Sequence, residues 1–90
     1  NETAVQGRGK VLIGNVEQFF DRIGVVAIRL NGELKVGDII EIGSEEDAVR
    51  QRISSMQINK ENVEVAYEGD SVGIKLNHKV RVGCDVYKVG

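Results

Sequence analysis

The chain has 90 residues, with 12 Lys and Arg against 14 Asp and Glu, and its formal net charge at pH 7 is −2. This length provides one small domain, because a chain of this size buries only about 60–65% of its unfolded surface around one modest core. The slightly acidic balance argues against a strongly basic nucleic-acid binder, and the 41% hydrophobic share excludes general disorder.

The first third of the chain is rich in strand-forming residues. Within Lys10–Phe20, Gly14 interrupts the β-rich stretch and predicts a bulge or a bend. Arg22–Leu30 has apolar residues on both phases, so both faces of this strand are expected to be partly buried. Asn31-Gly32 then predicts a hairpin with a type I′ turn, which needs positive φ at both central residues.

The middle of the chain contains a long strand that changes phase. Asp38–Ile42 is predicted as a strand, and Ala48–Ile58 as a longer one after it. In the longer strand the apolar residues first have odd numbers, Val49 and Ile53, and then even numbers, Met56 and Ile58. This change of phase predicts a bulge near Ser54-Ser55. Such a bend lets one strand serve both sides of a closed sheet. Asn59–Tyr67 fits either a capped helical turn or a further alternating strand.

In the last third of the chain, apolar and polar residues alternate more clearly. Short strands are predicted at Val72–Leu76, around Val80–Val82 and at Val86–Val89, with a turn at Asn77-His78-Lys79. The whole pattern predicts an all-β fold, a small closed antiparallel barrel of six or seven strands, because closure removes exposed strand edges. We expect residues 10–90 to form this single domain and residues 1–9 to form a flexible tail.

Three turns that combine Gly with Asp separate these strands. Glycine adopts positive φ without strain, and an Asp side chain can bond its own backbone two residues on. Because one rule explains all three carboxylates, we interpret them as turn formers and not as metal ligands or catalytic acids. The predicted structural turn residues are Gly37, Asp38, Gly69, Asp70, Gly83 and Asp85.

Short glycine-containing segments follow one another in a fixed order over roughly residues 9–89. They are Gly9-Lys10-Val11, Ile23–Val26, Leu34–Ile42, Ile53–Ile58, Ala66–Leu76 and Val82–Val86. Each alone is a generic turn and strand, but the series resembles the second domain of translational GTPases such as elongation factor Tu.

The resemblance implies a translation-protein type β-barrel that contacts the aminoacyl end of transfer RNA or the ribosome. The chain has no Gly-x-x-x-x-Gly-Lys-[Ser/Thr] loop to hold phosphates, so GTP hydrolysis is not implied and no nucleotide cofactor is expected. Elongation factor Tu typically has Asn directly after the Gly-Asp or Gly-Glu pair, where this chain has Ser71. A hydroxyl offers fewer hydrogen bonds than an amide, which weakens the case for transfer RNA recognition.

The chain also resembles the C-terminal accessory barrels of collagenase-like peptidases. The Ser-Met-Gln stretch at residues 55–57, followed by Gly69–Lys75, is at least as similar to these barrels as to the translation factors. This second resemblance implies an accessory domain that docks on another polypeptide and has no role in RNA binding.

Basic residues are the candidates for contact with RNA phosphates. Residues 71–90 contain four Lys and Arg but a single Asp, which predicts a local basic surface. A solvated face of mixed charge is the simpler interpretation. Few aromatic residues are available for base stacking. The candidate nucleic-acid-binding residues are Lys10, Arg22, Arg50, Arg52, Ser71, Lys75, Lys79 and Arg81.

The sequence contains little that suggests catalysis. His78 is the only histidine and Cys84 the only cysteine, and nothing in the sequence brings them together as a dyad. We therefore expect no enzymatic activity, no catalytic residues, no metal and no cofactor. The primary hypothesis is a binding module for RNA or a ribosome-associated partner, and the alternative is a protein-interaction or accessory barrel.

Location is predicted from what the sequence lacks. No apolar run approaches the roughly 18 residues of a membrane helix, and residues 1–9 lack the apolar stretch of a signal peptide. A lone Cys84 cannot form an internal disulfide, in agreement with a reducing compartment. We expect a cytoplasmic protein without a membrane partner.

Overall fold

The computed structural model describes residues 9–43, 46 and 48–90, so most of the predicted N-terminal tail lies outside the described residues. The described part of the chain forms strands joined by turns and loops. The strands are β1 (Lys10–Phe20), β2 (Val25–Leu30), β3 (Leu34–Lys35), β4 (Ile39–Ile42), β5 (Val49–Arg52), β6 (Met56–Ile58), β7 (Glu61–Val63), β8 (Val65–Ala66), β9 (Ser71–Lys75) and β10 (Asp85–Val89).

The strands form two antiparallel sheets of unequal size. The larger sheet has eight strands in the order β5-β4-β10-β1-β2-β9-β6-β7 and curls into a half-barrel, whereas β3 pairs with β8 alone. The prediction of an all-β, antiparallel fold is therefore confirmed. The prediction of a closed barrel with six or seven strands is wrong, because no backbone ladder within the described residues joins β5 to β7.

A side chain bridges the seam of the half-barrel in place of a strand pair. Gln51 in β5 donates from Nε2 to the carbonyl oxygen of Lys75 at 2.8 Å. The backbone N–H of Asn77 donates to Gln51 Oε1 at 3.0 Å. This one amide group joins the edge strand β5 to the end of β9 at a single point and does not continue as a ladder.

The bend expected near Ser54-Ser55 is the point where the chain crosses this seam. β5 ends at Arg52 and β6 begins at Met56. These strands lie near opposite ends of the sheet order. Ile53, at the start of the crossing, is only 1% exposed and anchors it in the core. The change of apolar phase in the sequence thus marks a real change of sheet position.

Alternating residues of the curled sheet fill its concave side with aliphatic side chains. Fully burying one such side chain contributes about 1.5–3 kcal/mol, so this cluster is the main source of stability. The buried apolar residues are Ile13, Val16, Val26, Ile28, Leu30, Leu34, Ile40, Ile42, Ile53, Met56, Ala66, Val72, Ile74, Leu76 and Val86.

Two bulges divide β1 between two partners. The register with β10 shifts between Leu12 and Gly14, and the register with β2 shifts between Val16 and Gln18. At the first bulge a Cβ on Gly14 would lie 2.3 Å from the carbonyl oxygen of Arg29, so only glycine fits there. The predicted irregularity at Gly14 is confirmed, and the second bulge leaves Glu17 as the extra residue.

The type I′ hairpin lies in a different place from the one predicted. Neither Asn31 nor Gly32 has a positive φ, and β2 pairs with β1 and β9, so the hairpin predicted at Asn31-Gly32 is wrong. Asn59 and Lys60 instead have φ of 52° and 69° and close a two-residue loop between β6 and β7. The ambiguous Asn59–Tyr67 segment is therefore extended, as its alternation suggested, and not helical.

Two of the three predicted Gly-Asp turns share one geometry. Gly37 has φ of 99°, and the Asp38 carboxylate accepts the N–H of Lys35 at 2.8 Å. Gly69 has φ of 93°, and the Asp70 carboxylate accepts the N–H of Tyr67, also at 2.8 Å. Each Asp thus bonds the backbone three residues before it, not two residues on, and links the two ends of its turn.

The third turn departs from this pattern. Gly83 has φ of 92°, but the N–H that closes the turn onto the carbonyl oxygen of Arg81 belongs to Cys84. Asp85 is instead the first residue of β10, so its predicted role as a turn former is wrong. The strand predicted around Val80–Val82 does not form either, because residues 76–84 are a connection between β9 and β10.

Candidate functional site

The candidate cations fall into two regions of the fold. Lys10 and Arg50 meet at Glu41, and Arg52 donates from Nη1 to the carbonyl oxygen of Gly37 at 2.9 Å. The other four lie in the β1–β2 loop (Arg22), at the end of β9 (Lys75) and in the connection between β9 and β10 (Lys79 and Arg81). The predicted set is therefore not one continuous surface, and each region has to be considered separately.

Glu41 is the centre of the first region, which we call the Glu41 cluster (Lys10, Glu41, Arg50 and Tyr87). The Glu41 side chain is only 8% exposed, and its carboxylate accepts from Lys10 Nζ at 2.8 Å and from Arg50 Nη2 at 2.8 Å. Hydrogen bonds from Lys10, and next from Arg50, lower the pKa of Glu41, against the opposing effect of burial. Lys10 Nζ also lies 4.9 Å from the centre of the Tyr87 ring.

Cross-strand register brings these residues together. Glu41 in β4 lies opposite both Arg50 in β5 and Tyr87 in β10, and Tyr87 lies opposite Leu12 in β1. The two cations compensate a carboxylate that is otherwise costly to bury. Lys10 and Arg50 are therefore occupied by an internal partner and have little charge to offer to a phosphate.

Ser71 also has an internal partner. Its hydroxyl donates to Glu17 Oε1 at 2.8 Å, and Arg29 Nε donates to Glu17 Oε2 at 3.2 Å. The Ser71 hydrogen bond is the largest cause that lowers the pKa of Glu17. Sequence reasoning missed Glu17, because its direction depends on the second bulge of β1. The alternation of apolar residues around it contains no signal for this polar cluster.

The other four cations, Arg22, Lys75, Lys79 and Arg81, define what we call the basic tip. The N–H of Leu76 donates to the carbonyl oxygen of Gly24 at 2.8 Å, which fixes Lys75 beside the β1–β2 loop. Lys79 Nζ lies 3.9 Å from Asp21 Oδ1 in the same loop, where both side chains are mostly in solvent. An exposed pair at this distance contributes little.

The connection between β9 and β10 lies along the second half of β1. It is held at one end by the bond from Leu76 to Gly24 and at the other by a 2.8 Å bond from the N–H of Gly83 to the carbonyl oxygen of Val16. Arg81 and Val82 lie between these two contacts. Three of the four cations of the basic tip, Lys75, Lys79 and Arg81, belong to the last 20 residues, whose excess of positive charge is visible in the sequence.

Exposed apolar side chains accompany the basic tip. Phe20 is 42% exposed, Ile23 60% and Val82 64%. Phe20 lies opposite Val25 on β2, and Val25 lies opposite Lys75 on β9, so that one cross-strand row joins apolar surface to a cation. This combination of aliphatic and basic groups differs from the Glu41 cluster, where the polar groups satisfy each other.

A shallow groove continues from this row across the convex side. It has a volume of about 160 Å³ and is lined by Val25, Ser55, Gln57, Gly73 and Lys75. Gly73 forms its floor because it has no side chain, and a Cβ built there would lie 3.4 Å from Val25 Cγ1, an ordinary contact. The groove is therefore open because residue 73 has no side chain, although the backbone there would accommodate a Cβ.

The residues considered for catalysis lie apart from this groove. His78 is exposed, and Cys84 is partly buried against the core. Across residues 9–43, 46 and 48–90, no group of three or more His, Cys, Asp and Glu side chains is arranged to hold a metal ion. Nor do these residues form a helix long and apolar enough to cross a membrane.

Comparison with known proteins finds peptidase-related chains. Over 79 residues, 87% of this chain, the sequence is 46% identical to an "uncharacterized protease" of Methanocaldococcus jannaschii, of which the matched part is 19%. The chain therefore spans about a fifth of the length of that relative. No family model matches the sequence.

Solved structures with the same fold come from the C-terminal domain of a protein described as a U32 peptidase, from Geobacillus thermoleovorans. One superposes with a TM-score of 0.80 at 16% identity and covers 88% of this chain and 92% of that domain. Its selenomethionine variant gives a TM-score of 0.78 at 15% identity, with 84% and 96% coverage. These relatives agree with the predicted resemblance to peptidase accessory barrels and lend no support to the resemblance to translation factors.

Proposed function

We propose that this chain is the accessory β-domain of a peptidase-related protein and that it binds another polypeptide without catalysing a reaction itself. The observation that carries the proposal is the match to an isolated C-terminal peptidase domain of nearly the same extent. The 46% identity to one fifth of a protease supports the same interpretation. We infer that such a domain, as one part of a larger protein, functions by binding other polypeptide segments.

The contacts within the sheet argue against the RNA hypothesis. Lys10, Arg50 and Ser71, three of the eight predicted RNA contacts, are already bonded to carboxylates, which makes them less available to a phosphate. Two aromatic residues are exposed, Phe20 at 42% and Tyr67 at 58%. They lie at opposite ends of β2, Phe20 opposite Val25 and Tyr67 in the turn whose Gly69 N–H bonds Leu30, so they do not form one stacking platform for successive bases. A role in RNA binding therefore has no geometric support beyond ordinary surface charge.

The test is a crosslinking pull-down with the chain as bait, from lysate of the organism that encodes it, with one arm treated with RNase. We expect the same proteins to be captured in both arms, and the peptidase portion of the parent protein to be among them if it is expressed separately. Capture that disappears after RNase treatment would contradict the proposal and favour the RNA hypothesis.

A second measurement tests the absence of catalysis. The purified chain is incubated with a fluorogenic peptide library and with nucleoside triphosphates, and we expect no turnover of either. The matched control is a Cys84→Ala, His78→Ala double variant. Turnover by the unmodified chain that this variant loses would overturn the assignment as an accessory domain.

A further inference from the structure

The groove and the basic tip form one continuous surface. Lys75 lines the groove and also belongs to the tip, and its strand neighbour Val25 lines the groove and lies opposite Phe20. At the β1–β2 loop, Lys79 Nζ lies 3.9 Å from Asp21 Oδ1, and Arg22 follows Asp21 in the chain. A ligand that extends along this surface meets an aliphatic depression first and cations next.

The size of the groove limits what it can hold. Pockets for drug-sized ligands have about 300–1,000 Å³, and the groove has about 160 Å³. This volume suits a single aliphatic side chain that packs on Val25 over Gly73. Two polar side chains line the groove: Ser55 has a hydroxyl that can bond a peptide backbone, and Gln57, whose Nε2 donates to Asn62 Oδ1 at 3.2 Å, offers its carbonyl oxygen as an acceptor.

The positive charge of the basic tip indicates that the part of the ligand beyond the groove is acidic. The tip has four cations, and among the described residues the ion pair that any of them makes within 4 Å is that of Lys79 with Asp21, at 3.9 Å. An excess of this kind attracts anions through charge complementarity, which increases the rate of encounter and fixes orientation. The apolar groups beside the cations are mainly aliphatic, Ile23 and Val82, which pack on side chains but do not stack on bases.

We propose that this surface binds an extended acidic segment of another polypeptide, with one aliphatic side chain in the groove over Gly73 and the following carboxylates on Lys75, Lys79 and Arg22. The proposal rests on the proposed function, because it names the class of partner that the accessory domain contacts. The surface is small, so the complex is expected to be weak, since interfaces below about 1,200 Å² belong to transient encounters. The affinity is expected to fall as salt is added.

The test uses a fluorescein-labelled synthetic peptide with one Leu followed by four Glu in a Gly/Ser frame. Fluorescence anisotropy is measured against the 90-residue chain at low and at physiological salt. We expect saturable binding that weakens at least tenfold when the four Glu are replaced by Gln. Absence of binding at low salt would overturn the proposal, as would equal binding of the Gln peptide.

Two matched double variants test where the peptide lies. Arg22→Gln with Lys79→Gln is expected to weaken binding about tenfold, which corresponds to one 1.4 kcal/mol step. Lys35→Gln with Lys60→Gln removes the same charge at exposed positions near the opposite end of the strands, and we expect less than a twofold change. Equal losses in both variants would mean unspecific attraction and would overturn the proposal.

Gly73 tests the groove itself. Gly73→Val fills the depression and is expected to weaken binding several-fold, and Gly73→Ala is a milder variant with ordinary contacts if the first does not fold. Amide chemical shifts of the unmodified chain locate the peptide independently of any variant. Shifts at residues 73–75 and 79–82 are expected, and shifts centred on the Glu41 cluster would overturn the proposal.

A single-stranded RNA of ten nucleotides is the last arm of the experiment. Binding of this RNA more tightly than the acidic peptide would overturn the assignment of the partner as polypeptide. Failure of the peptide leaves the pull-down result intact, because that experiment detects any protein partner. The two proposals can therefore fail separately.

Discussion

Basic residues differ in their surroundings between two regions of the molecule, the Glu41 cluster on the sheet and the basic tip at the β1–β2 loop and the β9–β10 connection. In the Glu41 cluster, Lys10 and Arg50 bond a carboxylate that is only 8% exposed. At the basic tip, the pair between Lys79 and Asp21 is 3.9 Å long, and their side chains are 84% and 65% exposed. Lys10 and Arg50 are thus bonded to a carboxylate within the sheet, whereas Lys79 meets its carboxylate only in solvent. The number of basic residues in a segment is therefore a poor guide to its function.

β1 connects these two regions, and its first bulge lies where the strand changes partner. Gly14→Ala places a Cβ against the carbonyl oxygen of Arg29, at a separation of 2.3 Å before relaxation. We expect this change to destabilise the fold by about 2–4 kcal/mol, measured by urea denaturation, as strained or overpacked sites do. It is the largest effect in this series.

Gly73→Ala is the matched control for this prediction. It makes the same substitution in a strand but meets only ordinary contacts, so we expect a change of stability below about 1 kcal/mol. Equal destabilisation by the two variants would contradict the role assigned to the Gly14 bulge.

Glu41→Gln tests the internal character of the first region. It removes the charge that both cations bond, and we expect a loss of about 1–2 kcal/mol, reduced from the value for a fully buried pair because Lys10 and Arg50 are partly solvated. Glu17→Gln is the control at a carboxylate that is 37% exposed, and it should cost less. An equal or larger effect at Glu17 would contradict the contrast between the two carboxylates.

The pH dependence of stability follows from the same group. The folded-state pKa of Glu41 is lowered, so the unfolded chain binds the proton more readily than the folded chain. The stabilisation is complete above the unfolded pKa, about 4.3, and is lost as the pH falls through the lower folded pKa. Urea denaturation of the unmodified chain and of Glu41→Gln between pH 7 and pH 3 checks this. The acid loss should be smaller in the variant, and identical pH profiles would contradict the role of Glu41.

The smallest predicted effect concerns a turn outside both regions. Lys60 has a positive φ of 69° in the β6–β7 hairpin, a conformation that glycine adopts without strain. Lys60→Gly is expected to raise the free energy of unfolding by about 0.5–1 kcal/mol and to leave peptide binding unchanged. Lys35→Gly, in a strand, serves as a control and should destabilise. A loss of stability in Lys60→Gly would contradict the assigned turn.

Local features of the chain were predictable because adjacent residues determine them. The turns at Gly37-Asp38 and Gly69-Asp70 and the irregularity at Gly14 all depend on the φ or the missing side chain of a single residue. The strand alternation likewise predicted the all-β, antiparallel fold. The I′ hairpin was misplaced because Asn31-Gly32 has the preferred residues, while the pairing of β6 with β7 imposes positive φ on Asn59 and Lys60.

The sequence by itself determined the longer strands, the Gly37-Asp38 and Gly69-Asp70 turns and the surplus of cations near the C-terminus. Only the tertiary structure decided that the sheet stays open and which cations bond a carboxylate among the described residues. Lys10 bonds Glu41 across 31 positions, and Ser71 bonds Glu17 across 54. Such pairs depend on the register of strands that are distant in the chain and on bulges that rotate a residue to the other face, and no local pattern specifies either.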